Sequence, residues 1–369
     1  MWYTENIRRL LHDFAGKVTR RPFAGSADMY AITEGDWKDD LGLDSIQLME
    51  LAAEVNSFFC LFEIKDPPYL LSFHRIEDWV AQILLARQRW DEGLHFHSSG
   101  TTGSSKIIRH NKTFLEREIR FLAHYFREVQ TIIPFVPSYT IYGFLFTIWL
   151  PEKLSAKVCY PSATDWKNLS PNSLVVGTPF HWQWLLSLLP EQELPFLGVS
   201  SGAPLSPSLF SKLLQKGIRL TEIYGATETA GVAFRQQPQE SFGLFPYWQL
   251  LAEGEDSRIT DLDTGDVYSL MDKVMRSEEG GIAIMGRKDN QVNIAGVLVN
   301  TEHIAAIINE MPNVAHCQVS AKSMNQELFI QAFIQLHTDT DAARTQLQKQ
   351  IDQELPAPEK PRFIHFAQA

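Results

Sequence analysis

The sequence of 369 residues predicts a multidomain fold: an all-α four-helix segment, an α/β core and a small α+β C-terminal segment. Four helical segments fall within the first ninety residues, which is typical of a small bundle. Apolar, strand-like runs then alternate with helical segments, the order that an α/β sheet produces. We therefore expect domains at residues 1–88, 95–284 and 285–369.

The first segment is predicted to be helical because its apolar residues recur at helical spacing. This pattern covers residues 5–18 and returns from Ser45 to Phe59. A further helix is expected from Ile76 to Leu85, after two consecutive prolines. Residues 85–93 are predicted to be a short linker.

The strands and helices of the core and of the C-terminal segment are predicted from their apolar runs. Core strands are expected at 131–136, 156–160, 173–177 and 195–199, and helices at 113–127, 180–189 and 206–216. In such a sheet the loops at the strand ends carry function. The C-terminal segment is expected to contain helices at 301–310 and 340–354 and strands at 314–320, 327–336 and 362–366.

Composition and charge limit the class of protein. Hydrophobic residues make up 44% of the chain, enough for buried cores, and the net charge of −11 argues against a basic nucleic-acid-binding surface. The three cysteines are far apart, without a Cys-x-x-Cys pair, and are expected to be reduced and mostly buried. The charged, amphipathic N-terminus does not resemble a signal peptide, and the apolar run from Tyr139 to Leu150 is too short to span a bilayer. These features predict a soluble, cytoplasmic protein without a membrane span.

Residues 97–106 read His-Ser-Ser-Gly-Thr-Thr-Gly-Ser-Ser-Lys. Gly100 and Gly103 let the backbone turn and approach a ligand closely, and backbone N–H groups in such loops bind anions. Hydroxyl side chains stand at Ser99, Thr101 and Thr102, and Lys106 adds a positive charge. The pattern favours a polyphosphate loop over a flexible Ser/Gly linker. It differs from the common P-loop, because its two glycines are only three residues apart.

Two further loops follow apolar runs. Residues 200–205 read Ser-Ser-Gly-Ala-Pro-Leu, and residues 222–231 read Glu-Ile-Tyr-Gly-Ala-Thr-Glu-Thr-Ala-Gly. Tyr224 offers a flat ring on which a base can stack, Thr227 a hydroxyl for phosphate, and Glu228 an oxygen ligand for Mg²⁺. Taken alone, the second stretch is equally typical of a Tyr-Gly turn before a helix capped by threonine.

In this order the three loops resemble the motifs of the adenylate-forming superfamily, which contains acyl- and aryl-CoA ligases, amino-acid adenylation domains and luciferases. The resemblance implies use of ATP and Mg²⁺, with Glu228 as the metal ligand. The catalytic residues it implies are Lys106, Thr227, Glu228 and Asp289. The nucleotide-binding residues it implies are Ser99, Gly100, Thr101, Thr102, Gly103, Gly202, Ala203, Pro204, Tyr224, Gly225, Ala226, Asp266 and Arg287.

The roles of the C-terminal residues come from the same resemblance. Asp266 lies in a Thr-Gly-Asp stretch whose aspartate holds the ribose hydroxyls in the superfamily; as bare sequence this stretch is an ordinary turn. Asp289 corresponds to the pivot about which relatives rotate a small C-terminal lid, a conformational gate between two half-reactions.

An acid pocket is expected where the superfamily places it. The residues assigned to it are Tyr139, Gly143, Phe180 and Gly231. Residues 137–143 could equally form an aromatic core turn. Phe180, with His181, Trp182 and Trp184, could line the pocket or fill the core, and the core is the simpler interpretation.

The stretch Asp-Leu-Gly-Leu-Asp-Ser, ending at Ser45 and followed six residues later by leucine, resembles the attachment site of acyl and peptidyl carrier proteins over residues 1–88. The resemblance implies a 4′-phosphopantetheine arm on Ser45, installed by a phosphopantetheinyl transferase. Its acidic face for basic partner enzymes would comprise Asp39, Asp40, Asp44, Glu50 and Glu54. The alternative is that Asp44 and Ser45 simply cap a helix.

The chain departs from the superfamily in four places. Ser105 replaces a proline, and Asn293 replaces a lysine after the hinge. A large subdomain before the phosphate loop is expected to be missing, as is a C-terminal loop whose lysine stabilises the charge of the adenylation step. We therefore expect that another lysine substitutes, that adenylation is slow, or that the chain performs only the thioester half-reaction.

The sequence thus predicts an ATP-dependent ligase that adenylates an aryl or acyl acid and transfers it to the phosphopantetheine thiol of its own carrier domain. Expected partners are a small carboxylic acid, the transferase, and downstream acyl-transfer or ketosynthase enzymes of polyketide, fatty-acid or aryl-polyene biosynthesis. The alternatives are a carrier and binding module whose ligase domain has lost catalysis, and an enzyme similar to acyl-protein synthetases.

Overall fold

The computed structural model describes residues 2–20, 35–98, 106–161, 164–167, 169–189, 192–288, 291–294, 297–324 and 327–366. The chain divides into two compact units. The first contains residues 1–98 and 107–240, and the second contains residues 99–106 and 241–369.

The first unit begins with three α-helices: α1 (Thr4–Val18), α2 (Ser45–Phe58) and α3 (Ile76–Arg89). Two 3₁₀ turns, Leu61–Glu63 and Leu70–Ser72, lie between α2 and α3. Helix α2 begins with a capping box, in which Asp44 accepts from the N–H of Gln47 while the Gln47 side chain accepts from the N–H of Asp44. A separate four-helix carrier bundle is not evident in the described residues, because these helices share one compact unit with a β-sheet.

The predicted linker at 85–93 is wrong in its first half. Helix α3 continues to Arg89, and strand β1 (Gly93–His97) begins four residues later. The reason is Arg87, which is only 3% exposed although its charge suggested a surface position. Its guanidinium donates to the carbonyl oxygens of Phe59 and Gly93, each at 3.0 Å, and also pairs with Asp91.

A hairpin encloses the predicted phosphate loop. Strand β1 pairs antiparallel with β2 (Ile107–Asn111), in a register that places Gly93 opposite Asn111 and His97 opposite Ile107. The chain therefore enters and leaves the segment between them at neighbouring points. Ser99, Gly100, Thr101, Thr102 and Gly103 themselves lie outside the described residues, as does Asp289.

Six strands of the first unit form its main sheet, in the order β4-β3-β5-β6-β7-β8. Their bounds are β3 (Thr131–Pro134), β4 (Lys157–Val158), β5 (Ser173–Gly177), β6 (Leu197–Ser200), β7 (Arg219–Ala226) and β8 (Ala230–Arg235). Strands β4 to β7 pair in parallel, and β8 pairs antiparallel with β7. The predicted strands at 131–136, 173–177 and 195–199 are confirmed within two or three residues, whereas 156–160 contains only a two-residue strand.

Helices cover the sheet as the alternating pattern predicted. They are α4 (Lys112–Tyr125), α5 (Ile141–Phe144), α6 (Leu150–Leu154), α7 (Pro179–Leu188) and α8 (Pro207–Gln215). A π-helical turn, Leu145–Trp149, joins α5 to α6 and is buried throughout. Trp182 of α7 and Phe210 of α8 pack into an apolar cluster with Phe196 and Leu220 from the sheet.

The second unit is mixed α and β, and it begins before the predicted C-terminal segment at 285–369. Its strands are β9 (Gly243–Leu244), β10 (Trp248–Ala252), β11 (Arg258–Asp261), β12 (Val267–Ser269), β13 (Asp272–Arg276), β14 (Ile282–Arg287), β15 (Gln291–Ile294), β16 (Val297–Asn300), β17 (Val314–Met324), β18 (Glu327–Leu336) and β19 (Phe363–Phe366). Its helices are α9 (Thr301–Asn309) and α10 (Asp341–Glu354). Ile304 and Ile308 of α9 and Ile351 of α10 share an apolar core with Ile334 of β18. Among the described residues of the whole chain, no helix has the length and apolar character needed to cross a membrane.

Candidate active site

Three parallel strands of the first unit end at the same edge of the main sheet. Gly177 at the end of β5 lies opposite Ser200 of β6, which in turn lies opposite Glu222 of β7. The loop after β6 contains Gly202, Ala203 and Pro204, and the end of β7 contains Tyr224, Gly225 and Ala226. The structure therefore brings together two of the predicted nucleotide-binding motifs, at the edge where ligands bind in open α/β sheets.

Glu222 holds the loop after β6 in place. One carboxylate oxygen accepts from the N–H of Leu205 at 2.8 Å, and the other accepts from Nε of Arg235 at 2.8 Å. Burial raises the pKa of Glu222 above its ordinary value, while the Leu205 N–H and the Arg235 charge oppose that rise. The hydroxyl of Ser201 also donates to the carbonyl of Ile223 at 2.9 Å. No role was predicted for Glu222 or Arg235, since Glu222 precedes the Tyr-Gly-Ala-Thr-Glu motif by two residues and Arg235 lies beyond it.

Gly202 needs to be glycine because its φ of +84° lies in the left-handed region. Gly202 and Pro204 are exposed at the loop surface, and Ala203 is partly exposed. The loop thus presents main chain and small side chains to a ligand, while the buried Glu222 fixes its base.

The Tyr-Gly-Ala-Thr-Glu motif forms a turn between antiparallel strands. Thr227, Glu228 and Thr229 connect β7 to β8, so the alternative of a helix capped by threonine is wrong. Gly225 permits the turn, since a Cβ there would lie 2.1 Å from the carbonyl oxygen of Ala230. The side chains of Tyr224, Thr227 and Glu228 are all partly exposed. All three side chains lie at the end of the sheet that carries the Gly202–Pro204 loop.

His110 supports this turn from beneath. Its Nε2 lies 2.6 Å from the carbonyl oxygen of Thr227, and since a carbonyl only accepts, the ring nitrogen donates. Burial lowers the pKa of His110 below its ordinary value, so the neutral ring is favoured. The ring stacks on Phe114, with the centroids 4.9 Å apart. No sequence pattern indicates this role, because a lone histidine on a strand is commonly a core residue.

Glu118 anchors the start of β8. Both of its carboxylate oxygens accept from the N–H of Gly231, at 3.0 and 3.1 Å, and the side chain is almost fully buried. Gly231, which was predicted to line the acid pocket, is itself buried. A buried carboxylate with a backbone partner was not foreseen from helical spacing alone.

Two of the predicted acid-pocket residues, Tyr139 and Gly143, lie in the loop after β3 and in helix α5 that follows it. Gly143 donates its N–H to Oγ1 of Thr140 at 3.0 Å, and a Cβ at Gly143 would lie 1.9 Å from the carbonyl oxygen of Pro137. Tyr142 donates its hydroxyl to the carbonyls of Gly177 and Val199 and so joins this helix to the edge of the sheet where the nucleotide motifs meet. Burial, with nearby acidic groups, raises the pKa of Tyr139 to about 12.

The aromatic residues of α7 divide between surface and core. Trp182 is buried and donates its indole N–H to the carbonyl of Val199, as the core interpretation predicted. Phe180 is 56% exposed, and Trp184 is also exposed, so the core interpretation is wrong for these two. His181 accepts from the N–H of Thr178 through Nδ1, and burial lowers the pKa of His181 to about 4.

Three predicted site residues belong to the second unit. Lys106 is exposed, Asp266 lies in the exposed turn between β11 and β12, and Arg287 ends β14. Asp266 accepts from the hydroxyl of Thr264 at 2.9 Å. Their assignments to the nucleotide stay predictions.

Ser45 is the first residue of α2 and is exposed. Two apolar side chains of the same helix stand beside it in solvent, Ile46 at 72% and Met49 at 54% exposure. An exposed hydroxyl at a helix start, next to uncovered apolar side chains, is reachable by a modifying enzyme. The assignment of a phosphopantetheine arm to Ser45 stays a prediction.

A family model described as AMP-binding enzyme matches residues 86–286, more than half of the chain. The chain belongs to the AMP-binding enzyme family. The matched range contains the hairpin, the main sheet and both motifs at its edge. Membership supports an adenylate-forming ligase that uses ATP, as the sequence predicted.

Two curated relatives of this family are both named 4-coumarate–CoA ligase. The protein from Rhodobacter capsulatus is 30% identical over 384 residues, covering 98% of this chain and 96% of its own. The protein from Halorhodospira halophila is 29% identical over 331 residues, covering 88% of this chain and 84% of its own. The first alignment includes the N-terminal helices and Ser45.

The fold is similar to that of a solved structure of a double mutant of o-succinylbenzoate CoA synthetase from Bacillus subtilis. The TM-score is 0.60 at 15% identity, over 74% of this chain. The alignment spans 65% of that chain, so this protein matches slightly less than two thirds of its length. The likeness supports the α/β fold of the family.

Proposed function

We propose that this protein is an AMP-forming ligase that activates an aryl acid with ATP and joins it to a pantetheine thiol. The observation that carries the proposal is the meeting of the Gly202–Pro204 loop with the Tyr224–Glu228 turn at one edge of the sheet. The names of the two curated relatives favour an aryl acid over an aliphatic one.

The reaction has two parts. The acid carboxylate attacks the α-phosphorus of ATP, an acyl-adenylate forms, and pyrophosphate leaves. A thiol then attacks the acyl carbon, a thioester forms, and AMP leaves. Tyr224 offers its ring to the adenine, Thr227 offers its hydroxyl to a phosphate, and Glu228 offers a carboxylate to Mg²⁺.

The chemistry of the donors fits these assignments. Glu228 supplies the hard oxygen that Mg²⁺ prefers, and Mg²⁺ supplies charge neutralisation of the phosphates when bound. Gly202 leaves room for close approach of a ligand to the main chain, because it carries no Cβ. We assign Asp266 and Arg287 to the ribose and the nucleotide, and Lys106 to the phosphates, on sequence grounds.

Activation is tested by acid-dependent release of pyrophosphate. We expect Glu228→Gln to abolish it, and Glu193→Gln, a change at another exposed glutamate, to leave it unchanged. Equal rates of pyrophosphate release in both variants would show that Glu228 is not part of the site. Thr227→Val should also lower kcat, since its carbon skeleton is kept while the hydroxyl is lost.

We further propose that the acceptor thiol belongs to an arm on Ser45. A phosphopantetheine group attached there supplies the nucleophilic thiol. The exposure of Ser45 and of its neighbours Ile46 and Met49 supports this, as does the acidic capping residue Asp44.

Mass measurement tests this part independently. The intact protein, treated with a phosphopantetheinyl transferase and CoA, should gain one arm; Ser45→Ala should prevent the gain, and Ser57→Ala in the same helix should not. An acyl increment on the modified protein with ATP and acid then reports self-loading. An unmodified Ser45 would contradict the carrier assignment.

A second candidate acceptor is free CoA. The relatives' name, on an alignment that covers 98% of this chain, favours it. If Ser45 stays unmodified while acid, ATP and CoA yield an acyl-CoA, CoA is the acceptor. Loading only from supplied acyl-adenylate would mean that the protein performs only the thioester half-reaction. If no product forms by any route, the alternative of a carrier and binding module whose ligase domain has lost catalysis is favoured.

A further inference from the structure

The N-terminal helix α1 contacts the loop that follows β3, more than a hundred residues later in the chain. One carboxylate oxygen of Asp13 accepts from the N–H of Ser138 at 2.7 Å, and the hydroxyl of Ser138 donates to the same oxygen. Both residues are buried, with Ser138 at 0% exposure. A buried carboxylate with two such donors fixes the main chain at Ser138 strongly.

The next residue of that loop is Tyr139, and α1 holds its ring as well. Phe14 stacks on the ring with centroids 5.1 Å apart and planes 24° apart. The ammonium of Lys17 lies 5.4 Å from the ring centroid, within the range of a cation–π contact. Asp13, Phe14 and Lys17 therefore contact two consecutive residues of the loop.

The position of α1 is itself determined by the fold around it. The ring of Phe14 contacts the ring of Phe58 of α2, with centroids 5.4 Å apart. The ring of Phe58 also contacts Phe96 of β1 and Phe144 of α5. Moving α1 away from the loop would break the Asp13–Ser138 contact and uncover this aromatic cluster. The Asp13 carboxylate would lose its hydrogen-bond donors, and the apolar rings would be exposed to water. Both changes would raise the free energy of the folded chain.

We propose that Asp13 is a positioning residue for the acid pocket: through Ser138 it fixes residues 137–140, and with them Tyr139, so that the N-terminal helix limits the size of acid that the site accepts. The inference rests on the proposed function and on the assignment of Tyr139 to the acid pocket, which comes from the sequence. It gives α1 a role in substrate selection, separate from the attachment of an arm to Ser45.

Hydrogen–deuterium exchange tests the structural half without any substrate. Full-length wild type, Asp13→Asn and Asp13→Ala are compared for the peptide that contains residues 137–140. Asn keeps an acceptor oxygen and should preserve most of the protection, whereas Ala should lose it. Equal protection in wild type and Asp13→Ala would overturn the proposal.

Kinetics test the functional half. Asp13→Ala should raise KM for the acid about tenfold and change the preference between hydroxycinnamic and benzoic acids, while KM for ATP stays within about twofold of wild type. Phe14→Leu keeps an apolar side chain but removes the ring stack, and it should shift the same preference. This variant replaces Asp13→Ala in the test if Asp13→Ala does not fold. Equal rises in both KM values, or an unchanged preference in both variants, would contradict the proposal.

Asp91→Ala is the matched control. Asp91 also holds the N-terminal segment, by accepting from Trp2 at 2.8 Å and from Lys112 at 2.6 Å. The Asp91→Ala variant should have lower thermal stability and an unchanged acid preference. If its acid preference changed as much as that of Asp13→Ala, α1 would act only through general stability. If wild type activates no acid, the proposed function fails, and the exchange experiment still decides whether Asp13 positions the loop.

Discussion

Nε2 of His110 lies 2.6 Å from the carbonyl oxygen of Thr227, so the strand that follows the predicted phosphate loop is joined directly to the turn that carries Thr227 and Glu228. The two residues are 117 positions apart in sequence: His110 lies in the strand after the predicted phosphate loop, and Thr227 lies in the Tyr-Gly-Ala-Thr-Glu motif. This hydrogen bond fixes the main chain of the turn from its buried side. The side chains of Thr227 and Glu228 are partly exposed on the turn.

Replacing His110 should therefore affect both stability and catalysis. His110→Phe leaves the Thr227 carbonyl without its donor, at a cost of about 1–3 kcal/mol in the free energy of unfolding. We expect pyrophosphate release to fall about tenfold as the turn loses its anchor. Urea denaturation and initial rates measure the two effects. His124→Phe, at an exposed position of α4, is the control and should change neither; a fully active His110→Phe would exclude the anchoring role.

Removing Arg235 should destabilise the loop after β6. Arg235→Met leaves the buried carboxylate of Glu222 without its charged partner, which typically costs about 3–5 kcal/mol. Urea denaturation at neutral pH should show this loss. KM for ATP should also rise, because Glu222 would no longer hold Leu205 and the residues before it in place. The double variant Glu222→Gln, Arg235→Met removes the uncompensated charge and should recover part of the stability. No recovery would mean that the charge is not the cause.

The burial of His181 predicts weaker folding in acid. Its pKa is lowered from 6.5 to about 4, so between these values the unfolded chain binds a proton that the folded chain does not. The contribution of His181 is complete above pH 6.5 and falls as the pH drops toward 4, by roughly 3 kcal/mol in total. Urea denaturation at pH 7.5 and pH 5 should show a steeper loss in wild type than in His181→Gln. Parallel losses in the two proteins would refute the assignment to His181.

Gly225→Ala should be far more damaging than Gly177→Ala. At Gly225 the added Cβ would lie 2.1 Å from the carbonyl oxygen of Ala230, a main-chain atom that cannot move without opening the turn. At Gly177 the nearest atom is Cβ of His181, at 3.3 Å. We expect a loss of at least about 2 kcal/mol for Gly225→Ala and well under that for Gly177→Ala, measured by thermal and urea unfolding. Comparable losses would show that the turn is more tolerant than its geometry implies.

The alternation of apolar runs predicted much of the secondary structure. Strand β5 and strand β18 lie where their continuous or alternating apolar residues placed them, and the helix after Asp44 begins at its capping residue. Local patterns succeed here because each element buries its own apolar face. Family membership likewise follows from short motifs whose order along the chain is informative.

Tertiary pairings could not be predicted in the same way. The charge of Arg87 suggested a surface position, yet its guanidinium is buried because it has three acceptors, at Phe59 and in the segment Asp91 to Gly93. Asp13, Glu118 and His110 each act through a main-chain partner more than a hundred residues away, and no spacing rule links such residues. The turn at Thr227 also differed from a capped helix, because β8 returns immediately along β7.

Acid-dependent exchange of labelled pyrophosphate into ATP tests the central claim most directly, since it requires reversible formation of an acyl-adenylate and no thiol acceptor. We predict exchange that depends on an aryl acid and is lost in Glu228→Gln, while Glu193→Gln retains it. Absence of exchange with every aryl and acyl acid, or equal exchange in both variants, would contradict the assignment of this protein as an acid-activating ligase with its site at Tyr224–Glu228.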